Sequence, residues 1–290
     1  MAEAKGTNAK TETRAGAQGC GHDCSSCAAS CASRGKQNLA APMSKASKIK
    51  KVIAVASGKG GVGKSLVTSL LAIEMARRGK KVAVLDADVT GPSIPRIFGV
   101  SGDVTGCDDG ILPLRSRGGI KVMSVNLLLD KETTPIVWRG PVIAGTVRQF
   151  WTDVVWGEID YMFVDMPPGT GDVPLTVFQS LPVSGVIIVT SPQELVGMIV
   201  AKAENMARMM NVPIFGVVEN YSWLVCPDCG KRIPVFGEYL PDEELEARFG
   251  GLRLLARIPL DPKLAALCDA GMLESADTSR VKTAADAIAE

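Results

Sequence analysis

Val52-Ile-Ala-Val-Ala-Ser-Gly-Lys-Gly-Gly-Val-Gly-Lys-Ser65 is the stretch that decides the fold. Its apolar start, Val52–Ala56, reads as a strand, and the residues after it, Leu66 to Arg78, read as a helix. Between them Gly58, Lys59, Gly60, Gly61, Val62, Gly63, Lys64 and Ser65 satisfy the phosphate-loop pattern G-x-x-x-x-G-K-[ST]. The pattern alone is weak, but between a strand and a helix it is highly informative. Glycines let the backbone turn its N–H groups inward around phosphate oxygens, and the helix N-terminus adds the positive end of its dipole. Lys64 is expected to reach the β- and γ-phosphates, and the Ser65 hydroxyl to hold magnesium. Lys59 adds a second lysine next to the first glycine. The stretch implies a nucleoside triphosphate site.

From Ile49 onward, strand and helix patterns alternate. The predicted strands are Val52–Ala56, Lys81–Asp86, Lys121–Val125, Tyr161–Asp165, Val186–Thr190, Ile214–Val218 and Leu254–Ile258. Several are almost wholly apolar, as expected of parallel strands covered on both faces. In one helical stretch Ile199, Ala203, Met206 and Met210 recur at steps of four, three and four, which marks one buried face. The fold class is therefore α/β, a doubly wound and mostly parallel sheet, with its ligand outside the carboxyl ends of the strands.

The remaining 1–48 segment is different. It is rich in Ala, Gly, Ser and Lys and nearly free of large apolar residues, so it reads as a disordered tail that orders around a ligand. The domain reading is thus a tail over 1–48 and an ATPase domain over 49–290. The net charge of +1 gives no electrostatic case for nucleic acid or an anionic membrane as a partner. The longest uncharged run, Val173 to Gln193, is broken by Pro174, Pro182 and Gly185 and reads as a helix then a strand, so no membrane span is expected. The polar start from Met1 to Gln18 is no secretory signal, and eight cysteines then point to a reducing, cytoplasmic compartment where clustered thiols bind metal.

Two strands end in aspartate at the edge where a parallel sheet exposes its ligand. One runs into Asp86-Ala-Asp-Val-Thr-Gly-Pro-Ser93, the other into Asp165-Met-Pro-Pro-Gly-Thr-Gly-Asp172. A carboxylate after the apolar strand Tyr161–Val164 is the Walker B arrangement, so Asp165 is expected to orient magnesium. Asp88 is expected to position the attacking water, Asp86 to stand behind the magnesium site or serve structure, and Asp172 to cap a helix. No histidine lies in this part of the chain, so Lys59, Lys64 and Asp88 form the expected catalytic set, and hydrolysis should be slow.

With Lys59 in the loop, the signature resembles the deviant Walker A motif of the MinD, ParA and nitrogenase iron protein class. Within that class the aspartate strings resemble the Mrp/ApbC family of ATP-dependent iron–sulfur cluster carriers and scaffolds. So do Trp138-Arg-Gly-Pro141, Glu219-Asn-Tyr-Ser222 and Ile258-Pro-Leu-Asp-Pro262. The match runs from Lys51 to Leu267. The resemblance implies a homodimer in which Lys59 reaches the partner's nucleotide, an adenine pocket near Asn220 and Pro259, and switch loops at Asp86–Ser93 and Asp165–Asp172. It also implies iron–sulfur apoproteins and cluster assembly proteins as partners.

Cys226-Pro-Asp-Cys229 supplies two thiolates, whereas a tetrahedral zinc or a 4Fe–4S cluster usually takes four. A two-fold dimer makes up the count by bringing the same pair from each subunit together. In the resembled family this pair bridges a 4Fe–4S cluster. Structural zinc and a redox pair are the rival readings, the latter weakened because the pair does not open a helix. Cys20, Cys24, Cys27 and Cys31 place four thiols within the tail, enough for a second 4Fe–4S cluster or a zinc, with His22 alongside. This tail resembles the eukaryotic cytosolic scaffold branch, although that branch spaces its first cysteine more widely. Cys107 and Cys268 stand alone and read as small apolar residues.

Two functions follow. One is ATP-dependent carriage of iron–sulfur clusters. The other is a ParA/MinD-like ATPase switch with a structural zinc site, which leaves the tail cysteines unexplained. A MinD-type switch also ends in a basic amphipathic helix, unlike Val281 to Glu290.

Overall fold

The computed structural model describes residues 41–88, 91, 93–128, 140–193 and 196–290. The chain runs β1 (Lys48–Ala56), α1 (Lys64–Arg77), β2 (Val82–Asp86), α2 (Ile94–Phe98), β3 (Thr105–Cys107), β4 (Gly110–Leu112), β5 (Leu114–Arg115) and β6 (Lys121–Ser124). Next come α3 (Gly140–Thr152), β7 (Glu158–Asp165), α4 (Asp172–Ser180), β8 (Val183–Thr190), α5 (Val196–Met209) and β9 (Ile214–Asn220). The last part holds β10 (Trp223–Val225), β11 (Arg232–Pro234), α6 (Asp242–Arg248), β12 (Leu254–Ile258), α7 (Pro262–Asp269) and α8 (Lys282–Ala289).

One sheet takes the order β12-β9-β8-β1-β7-β2-β6-β5. Its neighbours are parallel except at the edge, where the two-residue β5 runs antiparallel to β6. Each of the seven strands expected from apolar runs lies in this sheet. The reason is visible in β1. Val52, Ala54 and Ala56 join a core with α3, α4 and α5, while Ile53 and Val55 join one with α1, α2 and α8. A strand packed on both faces has no polar side, so its sequence is a continuous apolar run. In α5, Ala203 and Met206 are buried and Met210 packs against the same core, so the methionine stripe is packing.

Register then sets the site. Asp165 pairs with Val55 of β1 on one side and with Asp86 of β2 on the other. Three strand ends therefore finish level, directly below the phosphate loop. Among the described residues no helix is long and apolar enough to cross a membrane.

Three expectations need correction. The expected tail boundary at residue 48 falls too late, because packing begins by Ala41. Ala41 N–H donates to Ser180 O at 2.8 Å, Trp151 Nε1 donates to Ala41 O at 3.0 Å, and Trp156 N–H donates to Ser47 Oγ at 2.8 Å. A segment with few large apolar residues is held here by backbone and Ser47 hydroxyl bonds and by Ala41 and Met43 against the core, too little apolar surface for hydropathy to register. Asp172 is not a cap: Gly171 holds that position and Asp172 lies in the first turn of α4, where its charge suits the helix dipole. Cys107 is not apolar filler either, since it is exposed on the small β3–β4 hairpin. The tail cysteines Cys20, Cys24, Cys27 and Cys31 lie outside the described residues, as do Trp138 and Arg139.

Trp156 is fully buried beside Phe150, whose carbonyl accepts its indole N–H at 3.0 Å. Trp156→Ala should therefore cost about 3–5 kcal/mol, measured by urea unfolding.

Candidate functional site

Between β1 and α1 the phosphate loop turns through two left-handed glycines, Gly61 and Gly63, both at φ 78°. Its lower surface is braced by the next strand ends: Gly169 N–H donates to Ser57 O at 2.8 Å and Met166 N–H to Val55 O at 3.1 Å. Gly63 has no room for a side chain. A Cβ there would overlap the Asn220 amide nitrogen and stand 2.9 Å from the Tyr221 hydroxyl. Asn220, fully buried at the end of β9, donates from Nδ2 to Val62 O at 2.9 Å. Its Oδ1 is buried without a hydrogen-bond partner. Pro259 follows β12 in the neighbouring loop, half-buried.

Asp165 is the centre of the polar cluster. It is wholly buried and accepts from Lys64 Nζ at 2.8 Å, Ser65 Oγ at 2.5 Å and Thr68 Oγ1 at 2.9 Å. Asp88 Oδ2 stands 3.5 Å from the same Lys64 ammonium. Asp86 accepts from Ser124 Oγ at 3.1 Å and from Asp88 N–H at 3.1 Å. Burial, and then the neighbouring Asp165 charge, push the Asp86 carboxyl well above the usual carboxylate range. The two aspartates thus differ: Asp165 pairs with Lys64 at 2.8 Å, and Asp86 favours its proton.

Hard oxygen donors, the Ser65 hydroxyl and the Asp165 carboxylate, meet within hydrogen-bond distance, with further carboxylates at Asp86 and Asp88. This donor set suits magnesium, which takes oxygen ligands and is commonly shared with substrate phosphates. Lys59 donates to the Gln193 side chain. Sequence reasoning missed Thr68 and Gln193. The first was accessible, since Thr68 lies four residues after Lys64 on one face of α1 and its hydroxyl also donates to Lys64 O at 2.9 Å.

The two-cysteine motif occupies the turn of the β10–β11 hairpin, at the same end of the sheet as the phosphate loop because β9 runs parallel to β1 through β8. Cys226 N–H donates to Lys231 O at 2.9 Å and Gly230 N–H to Cys226 O at 3.0 Å, which closes the turn. Both thiols are free, Cys229 exposed and Cys226 partly so. The backbone N–H groups of Cys229 and Asp228 point at the Cys226 sulfur and lower its pKa, which favours the thiolate that binds metal. Among the described residues no three His, Cys, Asp or Glu side chains gather into a metal site within the single chain. Cys268, in contrast, is half-buried on α7 and its pKa is raised, chiefly by burial.

A parallel sheet with a phosphate loop at its central strand, a lysine beside the first glycine and level aspartates defines a P-loop NTPase of the MinD/ParA fold. Solved structures bear this out: MinD with Mg-ADP from Pyrococcus horikoshii superposes with a TM-score of 0.53 at 20% identity, over 82% of this chain and 93% of that one. Far nearer in sequence is a nucleotide-binding protein in complex with ADP from Archaeoglobus fulgidus, 45% identical with a TM-score of 0.69, over 78% and 88% of the two chains. Residues 48–290 match a family model described as ParA: NUBPL iron-transfer P-loop NTPase. The iron–sulfur cluster carrier protein of Methanocaldococcus jannaschii is 49% identical over 78% of each chain, and that of Methanococcus maripaludis is 43% identical over 88% of this chain and 90% of the relative. The chain belongs to this NUBPL-type, Mrp/ApbC family of iron-transfer P-loop NTPases.

Gly63→Ala forces a Cβ into the Asn220 amide at a left-handed position. Nucleotide affinity should fall at least about tenfold, or about 1.4 kcal/mol, in a fluorescent-nucleotide titration. The opposite pKa directions of Cys226 and Cys268 give a second test. Site-resolved alkylation followed against pH should show the Cys226 rate rising at lower pH than the Cys268 rate, because the thiolate is the reacting form.

Proposed function

We propose that this chain is an ATPase that carries iron–sulfur clusters and delivers them to recipient apoproteins, working as a homodimer. The observation that carries the reading is the pairing, at one end of one sheet, of a phosphate loop with a turn that presents two metal-competent thiols. Each chain offers two thiolates at Cys226 and Cys229, so a two-fold axis through the hairpins supplies the four that a 4Fe–4S cargo takes. The iron–sulfur cluster carrier proteins among the relatives support cluster carriage, and the ADP complex from Archaeoglobus fulgidus supports the nucleotide.

In this reading, the loop from Gly58 to Ser65 wraps the triphosphate in its N–H groups and Lys64 neutralises the β- and γ-oxygens. The orphaned acceptor of Asn220, beside the Pro259 loop, suits the amino group of adenine, which favours ATP. Ser65 and Asp165, with Asp86 behind, would hold magnesium, which neutralises charge on the phosphates as the γ-phosphoryl leaves. Asp88 orients the attacking water. Lys59 leaves Gln193 for the nucleotide of the partner subunit and ties hydrolysis to dimer closure. The four tail cysteines are proposed as a second cluster site, and free thiols of this kind suit a reducing cytoplasm.

The test is anaerobic reconstitution with iron and sulfide. The full chain should turn brown with broad absorbance in the blue, and Cys226→Ser with Cys229→Ser should remove the bridging part of that colour and loosen the dimer. Lys64→Ala should abolish ATP turnover, with circular dichroism recorded because the change also strips buried Asp165 of its counter-ion. A colourless chain with stoichiometric zinc would overturn cluster carriage and leave an ATPase switch with a structural metal.

A further inference from the structure

Both loops that flank the nucleotide site are bonded to the few residues that root the cysteine hairpin. On one side Asn220 Nδ2 donates to Val62 O of the phosphate loop at 2.9 Å. On the other, Ser222 N–H donates to Ile258 O at 3.0 Å and Leu260 N–H donates to Trp223 O at 2.8 Å. Tyr221 sits between these anchors with φ 61°. The one other described non-glycine residue at positive φ is Asn211, of a type that tolerates it. For a bulky aromatic side chain the left-handed region is strained and persists only where surrounding contacts enforce it.

The end of its ring lies against the phosphate loop: a Cβ built at Gly63 would stand 2.9 Å from the Tyr221 hydroxyl and 3.3 Å from the ring carbon Cζ. With Lys59, Gly60, Gly61, Phe236 and Leu260, Tyr221 also lines a hollow of about 290 Å³. Phe236 belongs to the segment leaving the hairpin, so both arms of the hairpin border the hollow beside the loop. Beyond Tyr221 the path is packed. The Trp223 ring is covered by Arg232 at 4.7 Å and Arg280 at 5.6 Å, with Tyr239 edge-on at 6.2 Å. Arg232 is itself paired across the hairpin with Val225, next to Cys226.

We propose that Tyr221 is a positioning residue whose left-handed backbone and contact with Gly63 couple occupancy of the phosphate loop to the geometry of Cys226 and Cys229. The inference rests on the reading above, that the loop takes ATP and the hairpin takes metal. A tyrosine that merely packs would affect stability and leave the response of the cysteines to nucleotide intact.

The experiment uses the full-length, reduced, metal-free chain under limiting iodoacetamide, with and without saturating Mg-ATP, and reads each cysteine by peptide mass spectrometry. Mg-ATP should change the alkylation rate of Cys226 and Cys229 by at least about fivefold, the lower end of ordinary coupling between sites, with exposed Cys107 as the internal reference. Tyr221→Gly and Tyr221→Asn, which both accept the left-handed backbone, should bind fluorescent ATP and hold the change below about twofold. Tyr221→Phe keeps the ring and should restore the response. A ringless variant that binds ATP and responds like the parent overturns this inference alone. A parent chain whose cysteines ignore ATP overturns it together with the coupling on which it rests.

Discussion

The buried carboxylate of Asp165 holds the nucleotide end of the molecule together. It lies at the end of β7, has no access to water, and accepts from one ammonium and two hydroxyls, all on the first turns of α1. An unpaired charge at such a depth would be severely destabilising, so β7 and α1 must sit where these donors converge. That requirement fixes the loop between β1 and α1, since Lys64 and Ser65 are both loop residues and Asp165 partners. The shape of the phosphate cradle is thus set by an ion pair within the protein, and substrate meets groups already converged on one point.

The same carboxylate governs its neighbour. Asp86 is level with Asp165 on the adjacent strand, and two bare negative charges there, out of water, would repel. The raised pKa of Asp86 relieves this, and its hydrogen bonds to Ser124 and the Asp88 backbone give that carboxyl a structural task. Asp88 lies further out, 3.5 Å from Lys64. Three aspartates that look alike in sequence are separated by depth.

Much of this was legible beforehand, because a two-faced parallel strand writes itself as an apolar run and a phosphate loop has a fixed spacing. Strands as short as β3, β4, β5, β10 and β11 carry no such run; their two or three residues pair through the backbone, which any side chain permits. The packing of Ala41 to Ser47 escaped notice because it rests on a few backbone groups, the Ser47 hydroxyl and two isolated apolar side chains, Ala41 and Met43, which form no periodic run. Thr68 and Gln193 needed the third dimension, as did Tyr221, whose strain is a property of the path the chain takes and leaves no mark in its composition.

The cysteine hairpin has a further meaning for how such proteins diversify. Residues 223–241 are spliced between β9 and α6, outside the eight-stranded sheet, and β10 and β11 pair with each other alone. The splice is tied to the engine beneath it at few points, chiefly where Arg257 of β12 donates to Leu240 O at 2.7 Å and lies over the Tyr239 ring. The MinD structure of the same fold, at 20% identity, illustrates how far sequence can drift around that engine. A fold organised in this way can change what one surface hairpin presents while the order of its central strands is inherited intact.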